Sequence, residues 1–168
     1  DIRYMNDSYM EYMVRKRFTA KDYLSRISII VLTVFFFLLS PVIPVSLFIA
    51  AILAAIAYFI VFPSTDLEYE YLYCDKQITV DKIMAKKKRK QVAIYDTDKI
   101  ELLAPVNSYR LKAFEHRTFK EVPLWSMKED DNVPYVMISE GNLKVILDLP
   151  AEFVKLVQNV APRKVYFD

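Results

Sequence analysis

Between residues 27 and 62 the chain has no Asp, Glu, Lys, Arg, His, Asn or Gln. This run of 36 residues is too long for the core helix of a soluble domain and almost twice the about 20 residues that one bilayer crossing needs. The absence of ionisable groups inside it argues against a proton relay, an ion path or a transporter core, which require polar groups at membrane depth. Cysteine occurs once, at Cys74, so an internal disulfide and a cysteine-based zinc site are excluded. The single histidine, His116, stands between Glu115 and Arg117 and reads as a surface loop residue. A catalytic triad or metal centre needs more partners than this chain supplies, and we expect neither an enzyme nor a cofactor. Residues 63–168 carry 17 basic and 17 acidic side chains. They lack the broad basic excess of a nucleic-acid binder.

Pro41 and Pro44 sit near the middle of the apolar run, spaced to end one helix and begin the next. The run therefore predicts two membrane helices joined by a tight turn. Thr19-Ala20-Lys21-Asp22 has capping-box spacing, which starts the first helix near Ala20. Tyr23 and Arg26 fall at its membrane entrance, where an aromatic ring suits the interface and an arginine can snorkel outward. The strictly apolar residues 27–39 span only about 20 Å. The second helix is expected from Val45 to Phe62, with Pro63 stopping it. Within it, Ala50/Ala54 and Ala51/Ala55 are small-xxx-small pairs that let helices approach closely. They predict packing against the first helix or, alternatively, a homo-oligomer contact. Arg15, Lys16, Arg17, Lys21 and Arg26 precede the hairpin, and Lys76, Lys82 and Lys86-Lys87-Lys88-Arg89-Lys90 follow it. This bias places both termini in the cytoplasm, as a re-entrant hairpin also would. A cleaved secretory signal fits poorly, since the run starts late and continues without a polar cleavage region. Met5 is a candidate natural start, preceded by Asp1–Tyr4.

Beyond Pro63 the periodicity changes. Residues 67–73 alternate charge with aromatic, as a half-buried strand does. Residues 77–85, 91–95, 100–103, 109–114, 135–138 and 143–149 read as further strands, with Gly141 supplying the turn between the last two. From Pro150 the apolar residues Phe153, Val154, Leu156, Val157 and Val160 take helical spacing, and Pro162 ends the pattern. The expected fold is α+β: a transmembrane hairpin over residues 20–63, then an antiparallel barrel or curled sheet over residues 64–168 capped by the C-terminal helix. Residues 1–19 are expected to form a cytoplasmic segment. Its Tyr9, Tyr12, Met13 stripe and basic residues suit an interfacial helix.

Tyr69-Glu70-Tyr71, Gln77-Ile78-Thr79-Val80, Arg89-Lys90 and Ile100-Glu101, in this order, resemble the bacterial pleckstrin-homology-like domains that follow paired membrane helices. With residues 9–17 ahead of the hairpin, the whole chain is similar to an uncharacterised bacterial family of small two-span membrane proteins bearing such a domain. The resemblance implies the fold, and no activity. The scarcity of glycine in the strand turns departs from the usual pattern.

The basic run Lys86, Lys87, Lys88, Arg89 and Lys90 is the strongest candidate site. Near a membrane each cation gains about 1 kcal/mol from an anionic leaflet. The competing reading is a solvated turn, neutralised by Glu129-Asp130-Asp131. Trp125 reads as core or interfacial with a ligand-stacking alternative, and Cys74 as buried filling. The sequence thus predicts a membrane-tethered, non-enzymatic binding or scaffold module at the cytoplasmic face, contacting lipid or an unknown protein partner. A small structural subunit of a larger membrane complex is the alternative.

Overall fold

The computed structural model describes residues 2–6, 9–128 and 133–168. The chain divides into two compact units. One comprises Asp1–Lys16, Glu68–Ile83 and Arg89–Asp168, the other Arg17–Leu67 and Met84–Lys88.

The second unit is built on two long apolar helices. Helix α1 (Ala20–Leu39) starts where the capping box predicts: Asp22 N–H donates to Thr19 Oγ1, and Thr19 N–H donates to the Asp22 carboxylate at 2.9 Å. Helix α2 (Ser46–Thr65) packs along α1. The turn between them is held by Val42 and Ile43 N–H, both donating to Leu39 O. At 20 residues each, both helices are about 30 Å long, enough to cross a hydrocarbon core. No residue of α1 is buried, the reverse of a soluble core helix. Pro63 does not end α2 as expected. A π-helical turn, Ala57–Val61, precedes it, with Phe62 N–H reaching back five residues to Ala57 O. The wider turn relieves the clash a proline ring makes with the preceding turn, so the helix runs on to Thr65.

The first unit contains two sheets rather than one closed barrel. Strands β1 (Ile2–Asn6), β2 (Tyr9–Arg15), β3 (Leu67–Cys74), β4 (Gln77–Met84) and β5 (Lys88–Asp96) lie side by side in that order. Strands β6 (Ile100–Pro105), β7 (Lys120–Leu124), β8 (Tyr135–Ser139) and β9 (Leu143–Leu147) form the second sheet in the order β6-β8-β9-β7. Three two-residue turns have both central residues at positive φ: Asp75-Lys76, Ala85-Lys86 and Gly141-Asn142. This geometry matches the twist of paired strands, and polar residues or glycine usually supply it.

Three expectations are corrected here. Residues 9–15 form a strand and not an interfacial helix: β2 pairs antiparallel with β3 from Tyr9↔Cys74 to Arg15↔Glu68. Residues 109–114 form a 3₁₀ segment rather than a strand. Strand β7, masked in the sequence by its charges and Pro123, runs parallel to β9, so the second sheet is mixed. As the edge strand, β7 tolerates a proline.

The two sheets and helix α3 (Ala151–Val160) bury one core. Tyr71, Ile78, Val80, Leu103, Met137, Val145, Leu147, Phe153, Val154 and Val157 are inaccessible within it, as is Met10 from β2. The 3₁₀ segment covers the other face of the second sheet, with Leu111 and Phe114 on Leu102, Ala104, Val136 and Ile138. Burial on both faces explains the continuous apolar reading of β8. The Tyr71 hydroxyl donates to Leu124 O at 2.5 Å and accepts from Asp148 N–H at 3.2 Å. Burial raises its pKa well above the usual tyrosine value, against the opposing pull of the Asp148 N–H. It is therefore a permanent donor, linking the ends of β7 and β9.

Candidate functional site

The basic run is not one patch. Ala85 and Lys86 occupy the left-handed turn between β4 and β5, closed by Lys87 N–H donating to Met84 O. Once β5 begins at Lys88, successive side chains alternate between faces. Arg89 bonds Glu70 at 2.6 Å and lies 3.7 Å from Asp81, while its own side chain stays exposed. Glu70 is itself nearly buried, so this guanidinium balances an internal carboxylate. All five residues of the run are exposed, and Arg89 differs from the four lysines by its ion pairs.

Lys87 and Lys88 border a groove at the open end of the hairpin. Its walls include Arg26 of α1, Tyr58, Phe59, Phe62 and Pro63 of α2, Asp66, and Met84-Ala85, around a volume of about 590 Å³. The turn is tied to the hairpin by Ala85 N–H donating to Asp66 O at 2.9 Å. Arg26 is fixed in place: Nε donates to Thr65 Oγ1 at 2.7 Å and Nη2 to Phe62 O at 3.4 Å. Its guanidinium lies 4.6 Å from the Phe18 ring centre and 5.3 Å from that of Phe62, a cation–π geometry. The Arg26 charge is thus held beside two rings rather than extended freely. Tyr23 is exposed beside Phe18, with ring centres 5.6 Å apart. Arg15 ends β2, Lys16 is half-buried and Arg17 is exposed.

Of the four candidate packing alanines, Ala50 is buried and Ala51, Ala54 and Ala55 are exposed. The buried residues of α2 are Ser46, Ala50, Ala57 and Thr65, so the small pair facing inward is Ser46/Ala50. Spacing alone does not select this phase, because three alanine registers compete within one turn. Ala50→Leu, placing three extra carbons where helices meet, is expected to lower the detergent melting temperature. Ala55→Leu, on the open face, is expected to leave a solitary hairpin unchanged. Thermal unfolding in mild detergent reads both, and an Ala55→Leu effect matching that of Ala50→Leu contradicts this packing.

His116 is exposed in a turn and Trp125 is half-buried. Cys74 is exposed at the end of β3, not buried filling, because the strand's inward alternation falls on Tyr69, Tyr71 and Tyr73. Among the described residues no cluster of His, Cys, Asp or Glu is suited to a metal ion. Glu129-Asp130-Asp131, considered as a partner for the basic run, lies outside the described residues.

Two sheets enclosing one core with a C-terminal helix define a pleckstrin-homology-like domain. The family described as Bacterial PH-like domain (DUF6106) matches residues 6–167, and the chain belongs to it. The match takes in the hairpin and the strand ahead of it as well as the C-terminal part. No curated protein and no solved structure matches the chain.

Proposed function

We propose that this chain is a membrane-anchored binding or scaffold module that presents its pleckstrin-homology-like domain at the cytoplasmic face. The observation that carries this reading is the hairpin. Two helices of 20 residues each leave their large apolar side chains exposed, a surface far too extensive for a soluble monomer and suited to hydrocarbon. The sheet register supports a returning topology. Arg15 pairs with Glu68, so the chain leaves and re-enters the sheet at one point, and whatever lies between must come back to the same side. The basic flanks favour the cytoplasm for that side. The non-enzymatic character rests on the sequence, which offers one histidine, one cysteine and no grouping of catalytic side chains. Tethering raises the effective concentration of the domain at the membrane, so a weak contact there suffices.

Labelling of intact cells tests this. A cysteine introduced at Val42, exposed in the hairpin turn, is expected to react with an impermeant maleimide added outside. Cys74, exposed on the domain, is expected to react only after the membrane is opened. Reaction of Cys74 in intact cells overturns the cytoplasmic placement, and release of the protein by alkaline carbonate overturns the anchor.

The alternative, a small subunit of a larger membrane complex, draws on the open face of the hairpin. Thr33, Val34, Phe37, Leu47, Ala51 and Ala54 border an apolar groove of about 300 Å³, shaped for a further helix. A stoichiometric partner retained in mild detergent favours this reading.

A further inference from the structure

We propose that the groove at the open end of the hairpin is a binding site for the headgroup of an anionic phospholipid, with the lipid's upper chain against the aromatic wall. This rests on the membrane-anchored reading and gives it a ligand. Three cations, Arg26, Lys87 and Lys88, line the groove against one carboxylate, Asp66, leaving two positive charges in excess. Below them the wall is apolar, with Tyr58 and Phe59 exposed on a helix long enough to span a bilayer. A phosphodiester attached to acyl chains matches both halves of this surface. A soluble phosphate matches only the upper half, and a second copy of the chain would bring like charges together.

The site is prepared in advance. Two of the five guanidinium donors of Arg26 are used on Thr65 and Phe62, and among the described residues the others make no further hydrogen bond. The planar group, held between Phe18 and Phe62, keeps donors for phosphate oxygens without a large loss of side-chain freedom on binding. Lys87 and Lys88 are delivered by a turn whose Ala85 and Lys86 are both in the left-handed region, an uncommon conformation for alanine. The Ala85 N–H···O Asp66 bond holds that turn against the hairpin. The π-helical turn Ala57–Val61 shapes the facing wall; such turns are frequent at functional sites. Lys86 and Lys90 do not line the groove, which separates a specific site from diffuse attraction of the whole basic run.

The test uses the full chain in phosphatidylcholine bilayers containing trace spin-labelled phosphatidylglycerol or spin-labelled phosphatidylcholine. The motionally restricted fraction of each gives a relative association constant. The wild type is expected to prefer phosphatidylglycerol by about fivefold or more, the effect of one or more lysines near an anionic headgroup. Lys87→Gln/Lys88→Gln is expected to bring the preference close to one, and Lys86→Gln/Lys90→Gln to leave it intact. These substitutions are on exposed side chains, and circular dichroism verifies that the fold is kept. Equal losses in the two double variants mean diffuse attraction and overturn the site. Complete displacement of the lipid by millimolar inorganic phosphate also overturns it, in favour of a phosphate site indifferent to acyl chains. A carbonate-resistant protein with no headgroup preference overturns this proposal alone. A protein that does not associate with bilayers overturns the anchored reading as well.

Discussion

A fragment comprising residues 67–168 is expected not to fold, although it contains every element after the hairpin. Strand β2 lies N-terminal to the hairpin, yet it pairs with β3 over seven residues and contributes Met10 to the core with no accessible surface. Tyr12 also stacks near Tyr71, with ring centres 6.4 Å apart. Truncating one buried methionine to alanine costs about 2–5 kcal/mol. Removing its whole strand adds the lost ladder and leaves the aromatic edge of β3 open to association. The sum is comparable with the about 5–15 kcal/mol that stabilises a typical domain. The complementary protein, in which residues 17–66 are replaced by Asn-Gly, keeps β2 and closes it onto β3 with a favoured hairpin turn. It is expected to be soluble, monomeric and cooperatively folded. Dispersed amide resonances and a sharp thermal transition for the bypassed protein, with neither for the fragment, are the expected results. A well-folded fragment sinks the claim that the hairpin is an insertion within the sheet.

Phe153→Ala is expected to cost the isolated bypassed domain about 3–5 kcal/mol, which lowers its melting temperature by roughly 12–30 °C at this domain size. Phe153 is fully buried and meets Tyr73 edge to face, ring centres 6.0 Å apart at 72°, a favoured aromatic arrangement. It anchors the ten-residue helix α3, too short to persist alone, onto both sheets. Lys155→Ala, on the exposed face of the same helix, is expected to change stability by no more than about 0.5 kcal/mol. Denaturant titration compares them. Similar values for the two variants mean that α3 is not a structural part of the core.

Several features of this architecture are visible in local sequence because local physics produces them. Thr19 and Asp22 start α1 by hydrogen bonds three residues apart. The spacing of Phe153, Val154 and Val157 marks the one face of α3 that is buried, and Gly141 marks a turn that needs positive φ. Other features escape a local reading because a neighbour in space overrides the local signal. The charges and Pro123 of β7 conceal a strand because its hydrogen bonds come from β9, about 20 residues away in the chain and parallel to it; pattern rules carry no information on such a partner. The alternating Tyr109, Leu111 and Ala113 resemble a strand, yet the segment coils into 3₁₀ turns to place Leu111 and Phe114 over the second sheet.

The candidate site shows the same division. Lys86, Lys87, Lys88, Arg89 and Lys90 were legible as a cluster of charge, since charge is a property of composition. Their separation into an Arg89 paired with Glu70, a groove-lining Lys87 and Lys88, and an outlying Lys86 and Lys90 depends on strand alternation and on a turn docked at Asp66. The sequence places Arg26 at the start of the apolar run; its fixation by Thr65, 39 positions away, is not visible there.

By itself, the sequence determined that the chain carries a paired apolar hairpin and a neutral β-rich domain with a helical end, because hydropathy, capping and turn chemistry act over a few residues and need no knowledge of the rest. Only the tertiary structure decided that residues 9–15 belong to the sheet beyond the hairpin, that the sheets stay separate, and which cations face the groove. Each of these depends on contacts between segments tens of residues apart, where the buried area gained on pairing outweighs the preference of either segment alone.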